Sequence, residues 1–84
     1  MIDDTIREVL AAHGHLANDA ATIADDADLY AAGLTSHASV NVMLALEDSF
    51  DVEFPERMLR KATFSSIAVI REAIEELSAS ATSR

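Results

Sequence analysis

The sequence predicts an all-α protein: a small four-helix bundle of three longer helices and one short one, with a long structured loop after the first helix. Three observations lead to this fold class. Apolar residues recur at helical spacing in three stretches, glycine and proline occur only three times together, and no stretch alternates apolar and polar residues long enough for a strand. Since the chain has 84 residues, we expect one domain over residues 1–78, followed by a flexible, low-complexity tail at 79–84.

The first helix is predicted over residues 2–13. Asp3 and Asp4 complement the positive end of the helix dipole at its start, and Gly14 is a natural stop. Five residues recur at helical spacing along it, namely Ile2, Ile6, Val9, Leu10 and His13. The following loop, residues 15–35, is too long for a simple turn. Its apolar residues, which are expected to hold it against the core, are Leu16, Ile23, Leu29, Tyr30 and Leu34.

The second helix is predicted over residues 36–50, with Ser36 as its N-cap. Its core-facing stripe comprises Val42, Met43, Leu46 and Phe50. The helix also has a second apolar face, because Val40 and Leu44 lie four residues apart and point away from that stripe. Two interpretations are open: another element of the bundle covers this pair, or the pair is an exposed ridge on which partner proteins dock.

A short third helix is predicted over residues 55–60, with Pro55 at its first helical position. Ser65 or Ser66 then caps the last helix. The buried stripe of that helix is predicted to comprise Ile67, Ile70, Ile74 and Leu77. These elements complete a helical bundle with an aliphatic core.

The composition argues against several classes of function. The net charge is −9, so nucleic acid is not an expected partner, whereas basic patches on other proteins are. There is no cysteine, which excludes disulfides and thiolate chemistry. His13 and His15 lack a third ligand at suitable spacing, so no metal site is expected. With no signal peptide and no apolar run near the ~18 residues of a spanning helix, we expect a monomeric cytoplasmic protein without a membrane partner.

Ser36 lies where the helix with the second apolar face begins. The unpaired N–H groups and the dipole of a helix N-terminus favour a phosphate there, so a phosphodiester on this serine would be stabilised. A serine at a helix start is, however, most often only a cap. The position alone therefore leaves both interpretations open.

The residues around Ser36 resemble the signature of the acyl and peptidyl carrier proteins, in which G-x-D-S-L is followed by spaced apolar positions and by L-E-x-x-F. The matching residues are Gly33, Leu34, Ser36, Val40, Val42, Leu46, Glu47 and Phe50, with Asp28-Leu29, Phe54-Pro55 and Phe64 to Ile67 outside this core. The resemblance spans most of residues 28–77. It implies the acyl-carrier-protein fold, and 4′-phosphopantetheine attached to Ser36 by a phosphopantetheinyl transferase. The thiol of that arm would hold cargo as a thioester, and the protein itself would catalyse nothing.

Two positions depart from that signature. Thr35 stands where the family has aspartate, and His37 stands where it has leucine. Because the aspartate helps a transferase to recognise its substrate, Thr35 puts ordinary recognition in doubt. His37 changes the surface that partners meet beside the arm.

The stretch from Asp28 to Val40 is similar to the small stand-alone aminoacyl carrier proteins. This resemblance implies glycine or alanine as cargo, loaded by an ATP-dependent amino acid:[carrier protein] ligase that resembles a truncated class II seryl-tRNA synthetase. The residues expected to contact partner proteins are Thr35, His37, Val40, Asn41, Leu44, Glu47 and Asp48.

Three alternatives are considered beside an aminoacyl carrier. One is a carrier for fatty acyl, polyketide or nonribosomal peptide chains, and another is a helical interaction module without a prosthetic group. An independent enzyme is less expected. The carboxylate pairs Asp25-Asp26 and Glu47-Asp48 diverge when helical, which suits solvated charge better than shared acid–base work.

Overall fold

The fold consists of three α-helices joined by a long loop and by short helical turns. The computed structural model describes residues 2–14, 16, 20 and 22–82, with side chains up to residue 78. The helices are α1 (Ile2–Val9), α2 (Ser36–Phe50) and α3 (Ile67–Thr82). Within these described ranges there is no β-strand, and the all-α prediction is confirmed.

The first helix ends in an unusual turn. α1 passes directly into a π-helical turn, Leu10–Gly14, so helical backbone covers residues 2–14, close to the predicted 2–13. Leu10 is fully buried, whereas His13, expected to be a helix-end residue, is exposed in the last turn. A π turn contains more residues than an α turn, so a stripe spaced for an α-helix goes out of register within it. His15 lies outside the described residues.

The loop before α2 is held against the body of the protein, as predicted for the part that the structure describes. Ile23, Leu29 and Leu34 are buried in the core. The backbone N–H of Leu29 donates to the carbonyl of Ser65 at 2.8 Å, and the N–H of Ala68 donates to the carbonyl of Asp25 at 3.0 Å. These two bonds fix the loop to the start of α3.

Ionic contacts around Asp25 reinforce this attachment. Its carboxylate lies 2.6 Å from the guanidinium of Arg7 on α1 and 3.2 Å from that of Arg71 on α3. Arg71 also contacts Asp3 at 3.0 Å. The hydrogen bond from Arg71, with the bond from Arg7, outweighs partial desolvation and holds the pKa of Asp25 below its ordinary value. Asp25 is thus a half-exposed carboxylate that two arginines hold, and these ion pairs were not predicted from the pair Asp25-Asp26.

The predicted helix over residues 55–60 is replaced by two 3₁₀ turns, Glu56–Met58 and Lys61–Phe64. Pro55 has extended backbone and caps the first turn instead of beginning a helix. Met58 and Phe64 are both buried. Met58 and Phe64 are six residues apart and would face different sides of a single α-helix. Because both side chains lie in the core, the chain forms two separate turns instead.

Of the two predicted caps of the last helix, Ser66 is the one that the structure shows. The Ser66 hydroxyl accepts a hydrogen bond from the N–H of Val69 at 3.2 Å. The predicted stripe faces the core, with Ile67, Ile70 and Ile74 fully buried and Leu77 half-buried. The helix continues to Thr82, beyond the predicted boundary at residue 78. Residues 83 and 84 of the predicted tail lie outside the described part of the chain.

Candidate functional site

The start of α2 is capped by Thr35, and the assignment of this role to Ser36 was wrong. Thr35 has extended backbone, with φ −100° and ψ 164°, and its hydroxyl accepts from the N–H of Ala38 at 3.0 Å. Ser36 is already the first helical residue. An N-cap needs non-helical backbone and a side chain aimed at the first turn, and of the two adjacent hydroxyl residues only Thr35 has both.

This arrangement leaves the Ser36 hydroxyl available. Ser36 is exposed, and its side chain has no hydrogen-bond partner among the residues that the structure describes. Its carbonyl, by contrast, accepts from the hydroxyl of Ser39 at 2.7 Å. A hydroxyl at the positive end of a 15-residue helix, with no structural task, can be modified without a cost to folding.

The second apolar face of α2 is open to solvent. Val40 is 51% exposed and Leu44 is 53% exposed, while Val42 and Leu46 on the opposite side are fully buried. The interpretation that another element covers this pair is therefore wrong. Large apolar side chains exposed in adjacent turns of a helix are typical of a surface that meets another protein. We call this surface the ridge.

The polar residues predicted beside the ridge differ in their environment. Thr35, His37, Asn41 and Asp48 are exposed. Glu47 is half-buried, and its Oε2 accepts from the backbone N–H of Phe54 at 2.8 Å. Glu47 thus fixes the chain after α2, and its charge is partly neutralised by that bond.

A groove of about 280 Å³ opens beside Ser36 and borders the ridge. It lies between α2 and the chain of the two 3₁₀ turns. Ser36 stands at its edge, and its apolar walls come from Val40, Met43, Leu59 and Phe64. Val40 therefore belongs to both the groove and the ridge.

The polar wall of this groove was not singled out from the sequence. It consists of Tyr30 from the loop, Ser39 from α2, and the adjacent cations Arg60 and Lys61. The Lys61 ammonium lies 4.8 Å from the centroid of the Tyr30 ring, and the Tyr30 hydroxyl donates to the Lys61 carbonyl at 3.1 Å. Burial raises the pKa of the Tyr30 hydroxyl. The pair of adjacent basic residues in a strongly acidic chain is the sequence feature that could have indicated this polar wall.

Other kinds of site find no support in the described part of the chain. No group of three histidine, cysteine or acidic side chains there could hold a metal ion. Nor does any described helix have the length and apolarity to cross a bilayer.

A helix start with an available hydroxyl, beside an open groove and an exposed apolar ridge, is the architecture of a small carrier domain. The sequence matches, over residues 4–77, the family described as "Phosphopantetheine attachment site". The chain belongs to this family of carrier proteins, whose prosthetic group is 4′-phosphopantetheine and whose members carry a group without catalysing its chemistry. It is 52% identical to an aminoacyl carrier protein of Agrobacterium fabrum over 71 residues, covering 84% of this chain and 86% of the relative.

Solved structures agree with this assignment. An Agrobacterium tumefaciens carrier protein, in complex with ATP and an engineered Bradyrhizobium japonicum glycine:[carrier protein] ligase, is 49% identical, with a TM-score of 0.86 and coverage of 89% and 97% of the two chains. A crystal structure of Bradyrhizobium japonicum glycine:[carrier protein] ligase with glycylated carrier protein matches at 28% identity and a TM-score of 0.73, covering 86% and 96%. The expected fold and the resemblance to aminoacyl carrier proteins are confirmed.

The residues around Ser36 fit the family's prosthetic group. Its attachment requires a serine oxygen that is exposed and free of internal bonds, and among the described residues Ser36 meets both conditions. Aspartate and threonine are both good N-caps, so Thr35 keeps the helix start while removing the negative charge that aspartate would bring. When bound, the group supplies a thiol that a chain without cysteine lacks.

Proposed function

We propose that this protein carries a small amino acid, glycine or alanine, as a thioester on 4′-phosphopantetheine attached to Ser36. The observation that carries the attachment site is the hydroxyl of Ser36, which Thr35 frees by taking the cap. The chain's own part is to hold the arm at a rigid helix start and to present the cargo to enzymes. Tethering raises the effective concentration of the cargo without any catalysis by the carrier.

The proposed cargo and loading enzyme follow from the relatives. The carrier protein of Agrobacterium tumefaciens binds a glycine:[carrier protein] ligase, and a further relative carries glycine. We propose that an ATP-dependent ligase of this kind, similar to a truncated class II seryl-tRNA synthetase, loads the present chain, after a phosphopantetheinyl transferase has attached the arm. We also propose that the protein acts as a monomer in the cytoplasm.

The proposed partner surface is the ridge with its flanking polar residues. Val40 and Leu44 supply exposed apolar area, and Asp48 supplies negative charge that suits a basic patch on a partner. The exposed side chains of His37 and Asn41 extend the surface next to the arm. The further candidate contacts are Thr35 and Glu47. Their contribution is smaller, because both have internal hydrogen bonds.

Intact-mass spectrometry tests the attachment site. After incubation with coenzyme A, magnesium and a broad-specificity transferase, the wild-type protein should gain the mass of one phosphopantetheine. Ser36→Ala should gain none, and the matched control Ser39→Ala should still gain one. A gain that persists in Ser36→Ala but disappears in Ser39→Ala would move the site by one helical turn.

Loading of the modified protein tests the cargo. With ATP and a glycine:[carrier protein] ligase, we expect a glycyl or alanyl adduct that neutral hydroxylamine releases, as it does thioesters. An acyl carrier for fatty acids, polyketides or peptides would instead accept malonyl or long acyl groups from the corresponding transferases. If those load and neither small amino acid does, the proposed cargo is wrong. If the wild-type protein gains no phosphopantetheine at any residue, the chain is an interaction module.

A further inference from the structure

The five basic side chains that the structure describes fall into two groups. Arg7, Arg57 and Arg71 each form an ion pair with a carboxylate. Arg60 and Lys61 form none within the described part of the chain, and both line the groove that opens at Ser36. In a chain of net charge −9, two adjacent cations without carboxylate partners concentrate positive charge at this groove.

The groove fits a slender, mostly neutral chain. Its apolar area comes from Met43, Leu59 and Phe64, and hydroxyl groups of Tyr30 and Ser39 lie within the same walls. No carboxylate lines it. Pantetheine has methyl groups, a hydroxyl and two amides along its length, which match such a mixed wall. The groove's volume of about 280 Å³ leaves room for a segment of an arm that begins at Ser36.

The charges also bias the direction of an arm attached at Ser36. On the ridge side, Val40 and Leu44 are apolar and offer no electrostatic attraction to a phosphodiester. On the groove side, Arg60 and Lys61 would attract it. The negative phosphate therefore favours the groove over the ridge as the direction in which the arm leaves.

The same cations act in the opposite way on an aminoacyl cargo. Glycyl and alanyl thioesters carry a protonated amine, and no side chain lining the groove offers a negative partner for it. We propose that the groove holds the arm while its end is a free thiol or a neutral group, and that aminoacylation expels it through repulsion of the ammonium by Arg60 and Lys61. This inference rests on the proposed attachment at Ser36. The arm is then sheltered in the groove when the carrier is empty and exposed to solvent when the carrier is aminoacylated.

The test compares cargoes of equal size and different charge. Ser36 is modified with an amino analogue of pantetheine, so that the cargo is held by a stable amide as a propionyl or a glycyl group. The two groups have equal numbers of non-hydrogen atoms, and the glycyl group alone carries the ammonium. Backbone amide shifts at residues 39, 40, 43 and 59–61, with NOEs from the arm to Phe64, report occupancy of the groove.

We expect groove shifts and arm NOEs in the thiol and propionyl forms. In the glycyl form the bound population should be about tenfold lower, the order expected for one like-charge repulsion near a protein surface. Residues next to Ser36 stay shifted in every form, which verifies attachment. Equal groove shifts for propionyl and glycyl arms would overturn expulsion, and an absence of groove shifts in all forms would overturn the resting site. Failure of the proposed function differs from both, because no mass would be gained.

Charge variants complete the test. Lys61→Glu should return the glycyl arm to the groove to about the extent of the propionyl arm, and Lys61→Gln should have a smaller effect in the same direction. Arg57→Glu is the matched control, because it makes the same charge change four residues away and outside the groove lining. It should leave the glycyl arm expelled. If both Lys61 variants also leave it expelled while their amide spectra remain folded, the assignment to this cation fails.

Discussion

The two faces of α2 contain the same kinds of residue in opposite environments. On the inner face, Val42 and Leu46 are fully buried, whereas on the outer face Val40 and Leu44 are more than half exposed. Valine and leucine in both places show that residue type does not decide the role of a position. Its place around the helix, relative to the other two helices, does.

The largest expected effect is on stability, and it separates the two leucines. Leu46→Ala should lower the free energy of unfolding by about 2–5 kcal/mol, because it leaves a cavity in the core. Leu44→Ala should change it by less than about 0.5 kcal/mol, since more than half of the side chain is already exposed to water. Urea unfolding followed by circular dichroism measures both. Similar losses in the two variants would contradict the comparison and show that the ridge is part of the core.

The second expected effect is on partner recognition, and it should depend on the ridge. Leu44→Asp should leave the helical signal unchanged and lower kcat/KM for ligase loading about tenfold, the size expected for loss of one apolar contact at an interface. Ser49→Asp provides a matched control, because Ser49 is an exposed α2 residue outside both the ridge and the groove. The loading rate of that control should stay near wild type. Loss of helical signal in Leu44→Asp would instead indicate a structural role.

The third effect concerns the cap that frees Ser36. Thr35→Ala should reduce stability by about 1 kcal/mol through loss of the bond to the Ala38 N–H. Thr35→Asp retains a cap, so its stability should stay close to wild type, and modification by a transferase that recognises the usual aspartate should become faster. Thermal unfolding and the rate of mass gain measure the two properties separately. A slower modification of Thr35→Asp would contradict the role given to the aspartate in recognition by that transferase.

Much of the fold could be predicted from the sequence, because helical periodicity reports directly on burial. The core stripe of α3 and its cap Ser66 follow from spacing and local chemistry. The two 3₁₀ turns did not follow, since one proline and an apolar pattern of six residues do not distinguish them from a short helix. Their geometry depends on how Met58 and Phe64 reach a core built by distant elements.

The candidate site divides in the same way. Ser36 and the ridge could be predicted, because they lie on one helix and their relation is fixed by 100° per residue. The groove could not, because Tyr30 and Lys61 are 31 residues apart and meet only through tertiary structure. The ion pairs of Asp25 were not predicted for the same reason: its partners Arg7 and Arg71 lie 18 and 46 residues away.

The smallest expected effect is a dependence of stability on acid that should belong to the Asp25 contacts and not to the outer face of α2. Because Arg71 and Arg7 hold the pKa of Asp25 below its unfolded value of 3.8, the ionised carboxylate stabilises the folded state above that value. This contribution is lost as the pH falls through the lower folded pKa. Asp25→Asn should therefore be less stable than wild type at pH 7, with the difference shrinking below pH 3.8.

Asp48→Asn, which removes an exposed acid of the outer face, is the control and should leave the acid dependence unchanged. Unfolding in urea across this pH range measures both variants, and an equal loss of acid dependence in the two would show that general charge repulsion, rather than the Asp25 contacts, governs it.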